Sequence, residues 1–151
     1  MTTEKEKLLN NTYEKFMEIG LSITPRHDML DELAIDKIMG FGSAVDEKIF
    51  SINGLKKLID TQEKLLEGVK VDWKRNGLLR YIAADENTAV FADDITGTFK
   101  VDNESLEIYL RFSAVFEFIN GKWMVVHWHG SKPENVERDR KSTRLNSSHR
   151  H

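Results

Sequence analysis

Two histidines separated by one residue, His127 and His129, stand in the run VVHWHG near the C-terminus. Side chains alternate across a strand, so in an extended run both rings share one face. Imidazoles placed this way can donate to an anionic or carbonyl ligand, or hold a metal between them. A metal needs further donors, and neither His27 nor any cysteine supplies an evident one, so no metal site and no cofactor is assigned. The bland alternative is two core histidines whose ring nitrogens find backbone or carboxylate partners. A second group is the pair Asp93 and Asp94, which interrupts the otherwise apolar run Ala89–Ile95. Neighbouring strand residues point to opposite faces, so one of the two carboxylates should face inward, barring a bulge. Its competitor is a solvated face, or a charged guard on an edge strand. Trp73, Tyr81 and Tyr13 could wall a pocket or fill a core, as large aromatics do in any small domain.

Composition narrows the chemistry further. The 151 residues are 40% hydrophobic and 31% charged, which describes one soluble globule of ordinary size. No apolar run approaches the roughly 20 residues needed to span a bilayer, and the N-terminus MTTEKEK does not open a signal peptide. A cytoplasmic protein with no membrane partner is expected. The absence of cysteine removes disulfides, thiolate zinc sites and cysteine nucleophiles. No phosphate-binding glycine loop, nucleophile elbow or zinc-protease helix occurs.

The net charge of -3 conceals an asymmetry. Residues 138–151 hold five Lys/Arg against one Asp, leaving seventeen cations and twenty-four anions, a net of -7, on residues 1–137. An acidic body lacks the clustered cations that drive binding to phosphate backbones, so nucleic acid is not an expected partner. The segment DRKSTRLNSSH, residues 139–149, has one apolar residue and no periodicity, and reads as disordered. It also resembles the translation of a short-read sequencing adapter. The chain therefore divides into a domain over 1–137 and a disordered, non-native tail over 138–151. Removing that tail should leave thermal stability nearly unchanged.

The elements that must position the candidates follow from periodicity. Leu8, Leu9, Tyr13, Phe16 and Met17 form an amphipathic stripe over residues 4–19. Thr24 and Pro25 give a start signal for a short second helix that ends near Ala34, with Met29, Leu30 and Leu33 inward. Ile35 to Gly42 then reads as a short strand or loop. Ser51 can cap a third helix presenting Leu55, Leu58, Ile59, Leu65 and Leu66, with Gly68 as its stop. From Val69 onward β-branched and aromatic residues rise, and turns at 85–87, 102–103 and 120–121 divide four strands. Three helices followed by a meander predict an α+β fold, with helices packed on one face of a strongly curved antiparallel sheet.

Asn120–Gly121 is the sharpest local signal, because it favours the two positive φ angles of a tight hairpin. Pairing Ile119 with Lys122 sets Phe118 opposite Trp123, Phe116 opposite Val125, Ala114 opposite His127 and Phe112 opposite His129. That register places both histidines on the apolar face with Phe112 and Ala114. The other face carries Arg111, Ser113, Val115 and Trp128, a mixed surface suited to solvent or a second subunit.

The closing run NGKWMVVHWHGSKP, residues 120–133, resembles the last strands of the nuclear transport factor 2-like superfamily. It is similar to SnoaL-like members and to the association domain of calcium/calmodulin-dependent protein kinase II. Gly121, Lys122, Trp123, His127, His129 and Ser131 are the matching positions. Residues 40–50, GFGSAVDEKIF, and 126–136, VHWHGSKPENV, further resemble SnoaL-like domains at the front of bacterial signalling histidine kinases. The resemblance implies a cone-shaped fold, a homodimer, and a pocket walled by His127, His129, Phe112, Ala114, Trp73, Tyr81 and Tyr13. It implies first a small-ligand-sensing or dimerising input domain of a bacterial cytoplasmic signalling protein, covalently linked to a kinase or other output module and without a catalytic residue. The alternative it implies is a stand-alone isomerase, cyclase or dehydratase, with Asp93 or Asp94 and His127 or His129 as acid and base.

Overall fold

The computed structural model describes residues 3–21 and 26–133. The tail over 138–151, and the helix start signal at Thr24 and Pro25, lie outside the described residues. Helix α1 spans Glu4–Leu21 and α2 spans His27–Leu33; strands β1 (Ala34–Phe41) and β2 (Lys48–Ile49) precede α3, Ile52–Leu65. Four long strands follow: β3 (Lys70–Ile82), β4 (Thr88–Val101), β5 (Glu104–Ile119) and β6 (Lys122–Ser131). None of the described helices is long and apolar enough to cross a membrane.

The helix signals act as their chemistry requires. Ser51 Oγ accepts from the Gly54 N–H at 3.2 Å and caps α3. Helix α3 gives way three residues before Gly68, whose φ of +78° lies in the region open to glycine. Leu9, Tyr13, Phe16 and Met17 prove buried and form the face laid on the sheet, whereas Leu8, the fifth member of the expected stripe, lies at its edge and is exposed.

All six strands form one open sheet in the order β2-β1-β6-β5-β4-β3. The meander β3 to β6 is antiparallel as expected, but β1 joins β6 in parallel, so the sheet is mixed. Parallel pairing needs a crossover, and the helix α3 with three strands of meander supplies the length. A Cβ at Gly40 would fall 1.6 Å from the carbonyl oxygen of Trp128, so only glycine permits the β1–β6 approach there.

The hairpin register holds only near its turn. Asn120 and Gly121 take φ of 50° and 80°, and Phe118 pairs with Trp123 and Phe116 with Val125 as expected. Val126 is then an extra residue: Val115 pairs with His127, Ala114 with Trp128, Ser113 with His129 and Phe112 with Gly130. One inserted residue exchanges the two faces of the remaining strand. The expected register is corrected accordingly: His127 and His129 share the outer face with Val115 and Ser113, while Trp128 turns inward. The exchange buries an indole in place of two imidazoles, which would each have needed polar partners inside.

Candidate ligand cavity

A cavity of about 190 Å³ lies between the helices and the inner face of the sheet. Helix α1 contributes Phe16, Met17, Ile19 and Leu21; α2 adds Leu30; and α3 adds Leu55, Leu58, Ile59, Gln62 and Leu65. The sheet supplies Trp73 from β3, Leu110 and Phe112 from β5, and Trp128 from β6. Ser43 and Gln62 are the hydroxyl and amide in this lining. A space of this size with mainly hydrocarbon walls suits a small apolar molecule of about one ring.

The aromatic walls are held in place. Trp73 Nε1 donates to the Leu21 carbonyl at 2.9 Å, tying β3 to the end of α1. Gly97, opposite Trp73, makes room for that indole: a Cβ there would stand 2.5 Å from Trp73 Cζ3. Phe112 and Trp128 stack with ring centroids 5.4 Å apart, and Gly130 leaves space for the Phe112 ring. Three glycines, at 40, 97 and 130, thus serve the cavity wall through what they omit.

Beside the cavity lies a buried ionic group. Asp93 is the inward carboxylate of its pair, 3% exposed, and its Oδ2 accepts from Tyr13 Oη at 2.8 Å, Arg75 Nε at 3.0 Å and Arg75 Nη2 at 2.5 Å. Arg75 Nη1 also donates to Glu14 Oε2 at 2.6 Å, so one guanidinium fastens β3 to both α1 and β4. Tyr13 is stacked on Phe91, centroids 4.0 Å apart, with the Arg75 guanidinium over its ring. Burial, followed by the hydrogen bond to Asp93 and its charge, pushes the Tyr13 hydroxyl far above the usual tyrosine range. Burial alone would lower Arg75, but its hydrogen bonds to Asp93 and Glu14 prevail and raise it. Asp94 faces out, half-exposed, 4.0 Å from Arg111 Nε.

Of the pocket residues expected from sequence, Phe112 and Trp73 line the cavity. Ala114 and Tyr13 are inner-face core beside it, and Tyr81 is exposed on the outer face, paired with Val90. His127 and His129 stand outside, next to Met39 and Phe41 of β1. Asp93 and His127 therefore lie on opposite faces of the sheet and form no acid–base pair. Sequence reasoning missed Trp128, Leu110 and the α3 residues as lining; the apolar stripe of α3 was the available signal. Among the described residues, no cluster of three or more His, Asp or Glu side chains is arranged to hold a metal.

Helices over one face of an open six-stranded mixed sheet, with a cavity between the layers, define the nuclear transport factor 2-like α+β fold. Solved structures share it. A nuclear transport factor 2-like protein of unknown function from Pseudomonas putida matches with a TM-score of 0.69 and 16% identity, over 91% of this chain and 93% of that one. A Xanthomonas campestris protein described as a calcium/calmodulin-dependent protein kinase II association domain matches with a TM-score of 0.67 and 19% identity, covering 89% and 91%. The association domain of that kinase from Caenorhabditis elegans matches with a TM-score of 0.62 and 17% identity, covering 86% and 99%. No curated protein matches the sequence. Residues 9–134 match the family model of the SnoaL-like domain, and the chain belongs to that family.

Proposed function

We propose that this chain is a non-catalytic binding domain that takes a small, largely apolar molecule into its inner cavity and pairs with a second copy. The observation that carries the reading is the cavity wall: three fixed aromatic rings and aliphatic side chains, with no acid–base pair assembled on it. Self-association is supported by the outer sheet face, where Met39, Phe41, Leu79, Tyr81 and Val90 are exposed together. Fold similarity to proteins named as association domains supports it further. In the same reading the domain is the input of a bacterial cytoplasmic signalling protein, and ligand binding biases how its copies associate. That role rests on the resemblance of residues 40–50 and 126–136 to kinase-linked domains.

Titration of the protein with toluene, followed by calorimetry and by the fluorescence of Trp73 and Trp128, tests the cavity. Saturable one-site binding is expected, abolished by Leu110→Trp, which fills the space. Absence of saturation in the parent protein would overturn the reading.

A further inference from the structure

The registers of five strands line up two rows of side chains across the outer face. One row runs Met39, His127, Val115, Val90 and Tyr81 from β1 to β3, and the next runs Phe41, His129, Ser113, Ala92 and Leu79. Each histidine is half-buried on β6, which with β5 forms the middle of the six-stranded sheet. His127 has Met39 and Val115 as its direct neighbours; His129 has Ser113, and Phe41, whose ring meets the imidazole edge-on with centroids 5.9 Å apart. Charged groups stand further out. Lys37 lies two residues before Met39 on β1, Lys48 of β2 is opposite Phe41, and Glu117 and Arg111 flank the Ser113–Val115 segment of β5. Asp94 of β4 is the neighbour of Arg111, and β6 itself carries only Lys122, at its start. The ion pairs among the described residues join His27 to Asp60 but include neither His127 nor His129.

We propose that His127 and His129 make pairing through this face depend on pH: copies associate while both imidazoles are neutral and separate as the rings take up protons. This rests on the reading that copies pair through the outer face, and names how that pairing is regulated. A second copy related by a two-fold axis through the middle of the face lays its own β6 and β5 over these strands, so four imidazoles are covered at the centre of the contact. A neutral imidazole keeps one donor and one acceptor, which it can exchange with Ser113 or with an imidazole of the other copy. A protonated ring must give up its water beside Met39, Val115 and Phe41 and face another cation, with no carboxylate directly across from it. Protons therefore bind the free face better than the covered one. By linkage, dissociation gains as pH falls through the imidazole range, and above that range pairing no longer depends on these rings.

Each imidazole that must shed a proton to be covered weakens pairing about tenfold for every pH unit below the usual histidine value near 6.5. Sedimentation equilibrium of the full chain over a dilution series, at constant ionic strength, should thus show the dimer Kd rising at least about tenfold from pH 8.0 to pH 5.5, with near-UV circular dichroism verifying the fold at each pH. The double variant His127→Gln, His129→Gln stays polar but cannot take up a proton at these sites, so it should dimerise with a Kd that no longer responds to pH. Should it not fold, the single variants replace it, each expected to reduce the slope. A parent dimer whose Kd is flat or tightens on acidification would overturn the switch while leaving the pairing intact, as would variants that respond like the parent. A parent that is monomeric at every pH would overturn both.

Discussion

Arg75 touches more of the molecule than any single side chain of comparable exposure would suggest, because its guanidinium bonds Asp93 on β4 and Glu14 on α1 together. Removing it leaves a buried carboxylate with only Tyr13 as donor, the situation in which a broken buried pair costs about 3–5 kcal/mol. Arg75→Ala should therefore lower the thermal midpoint by roughly ten degrees or more, read by calorimetry. Tyr13 gives a second test at this scale. Its hydroxyl holds a proton in the folded state that an unfolded tyrosine releases near pH 10. Stability does not depend on this group below that pH, and above it falls as pH rises toward the raised folded value, by about 1.4 kcal/mol per unit. Tyr13→Phe should lose that slope, so its alkaline unfolding should be less steep than the parent's. One member of this site could be read from residues: an inward carboxylate at 93 or 94 follows from alternation. Its partners could not, because Arg75 and Tyr13 are 18 and 80 positions away and reach it only through the packed fold.

Elements were legible where local chemistry decides them. The cap at Ser51 and the turn at Asn120–Gly121 are each set by residues within four positions of one another. The bulge at Val126 was not, since Val125 and Val126 are identical in type and no glycine marks the extra residue. What decides it is the interior, which accepts the Trp128 indole against Phe112 and excludes imidazoles without partners. The same contest makes Gly97 a sensitive position. A methyl group there meets the Trp73 ring, which is itself held by the Leu21 carbonyl. Gly97→Ala should thus push the indole into the cavity, destabilise the protein by about 1–3 kcal/mol and weaken toluene binding, as titration of the variant would show.

At the scale of the molecule, helices before a meander foretold the layered α+β architecture, and the resemblance of the closing hairpin foretold the family. The parallel contact of β1 with β6 escaped notice because it joins segments about ninety positions apart. The sheet's outer face carries the remaining prediction. Leu79 is 74% exposed there, beside Ala92 and near Tyr81 and Val90. If copies pair through that face, a carboxylate at its middle must be desolvated against apolar surface, so Leu79→Asp should yield monomer in sedimentation equilibrium where the parent sediments as dimer. An unchanged mass for both would refute pairing through this surface.

The extra residue at Val126 has an evolutionary meaning as well. Deleting that one codon would restore the unbulged register, turning His127 and His129 inward and sending Trp128 to the surface, with no substitution anywhere in the chain. A lineage could therefore move between an oily, inert interior and one furnished with proton-carrying rings by a single three-base event, and back again. On such a scaffold, gain or loss of catalysis need not wait for new side chains; they are already present, stored on the reverse of the strand.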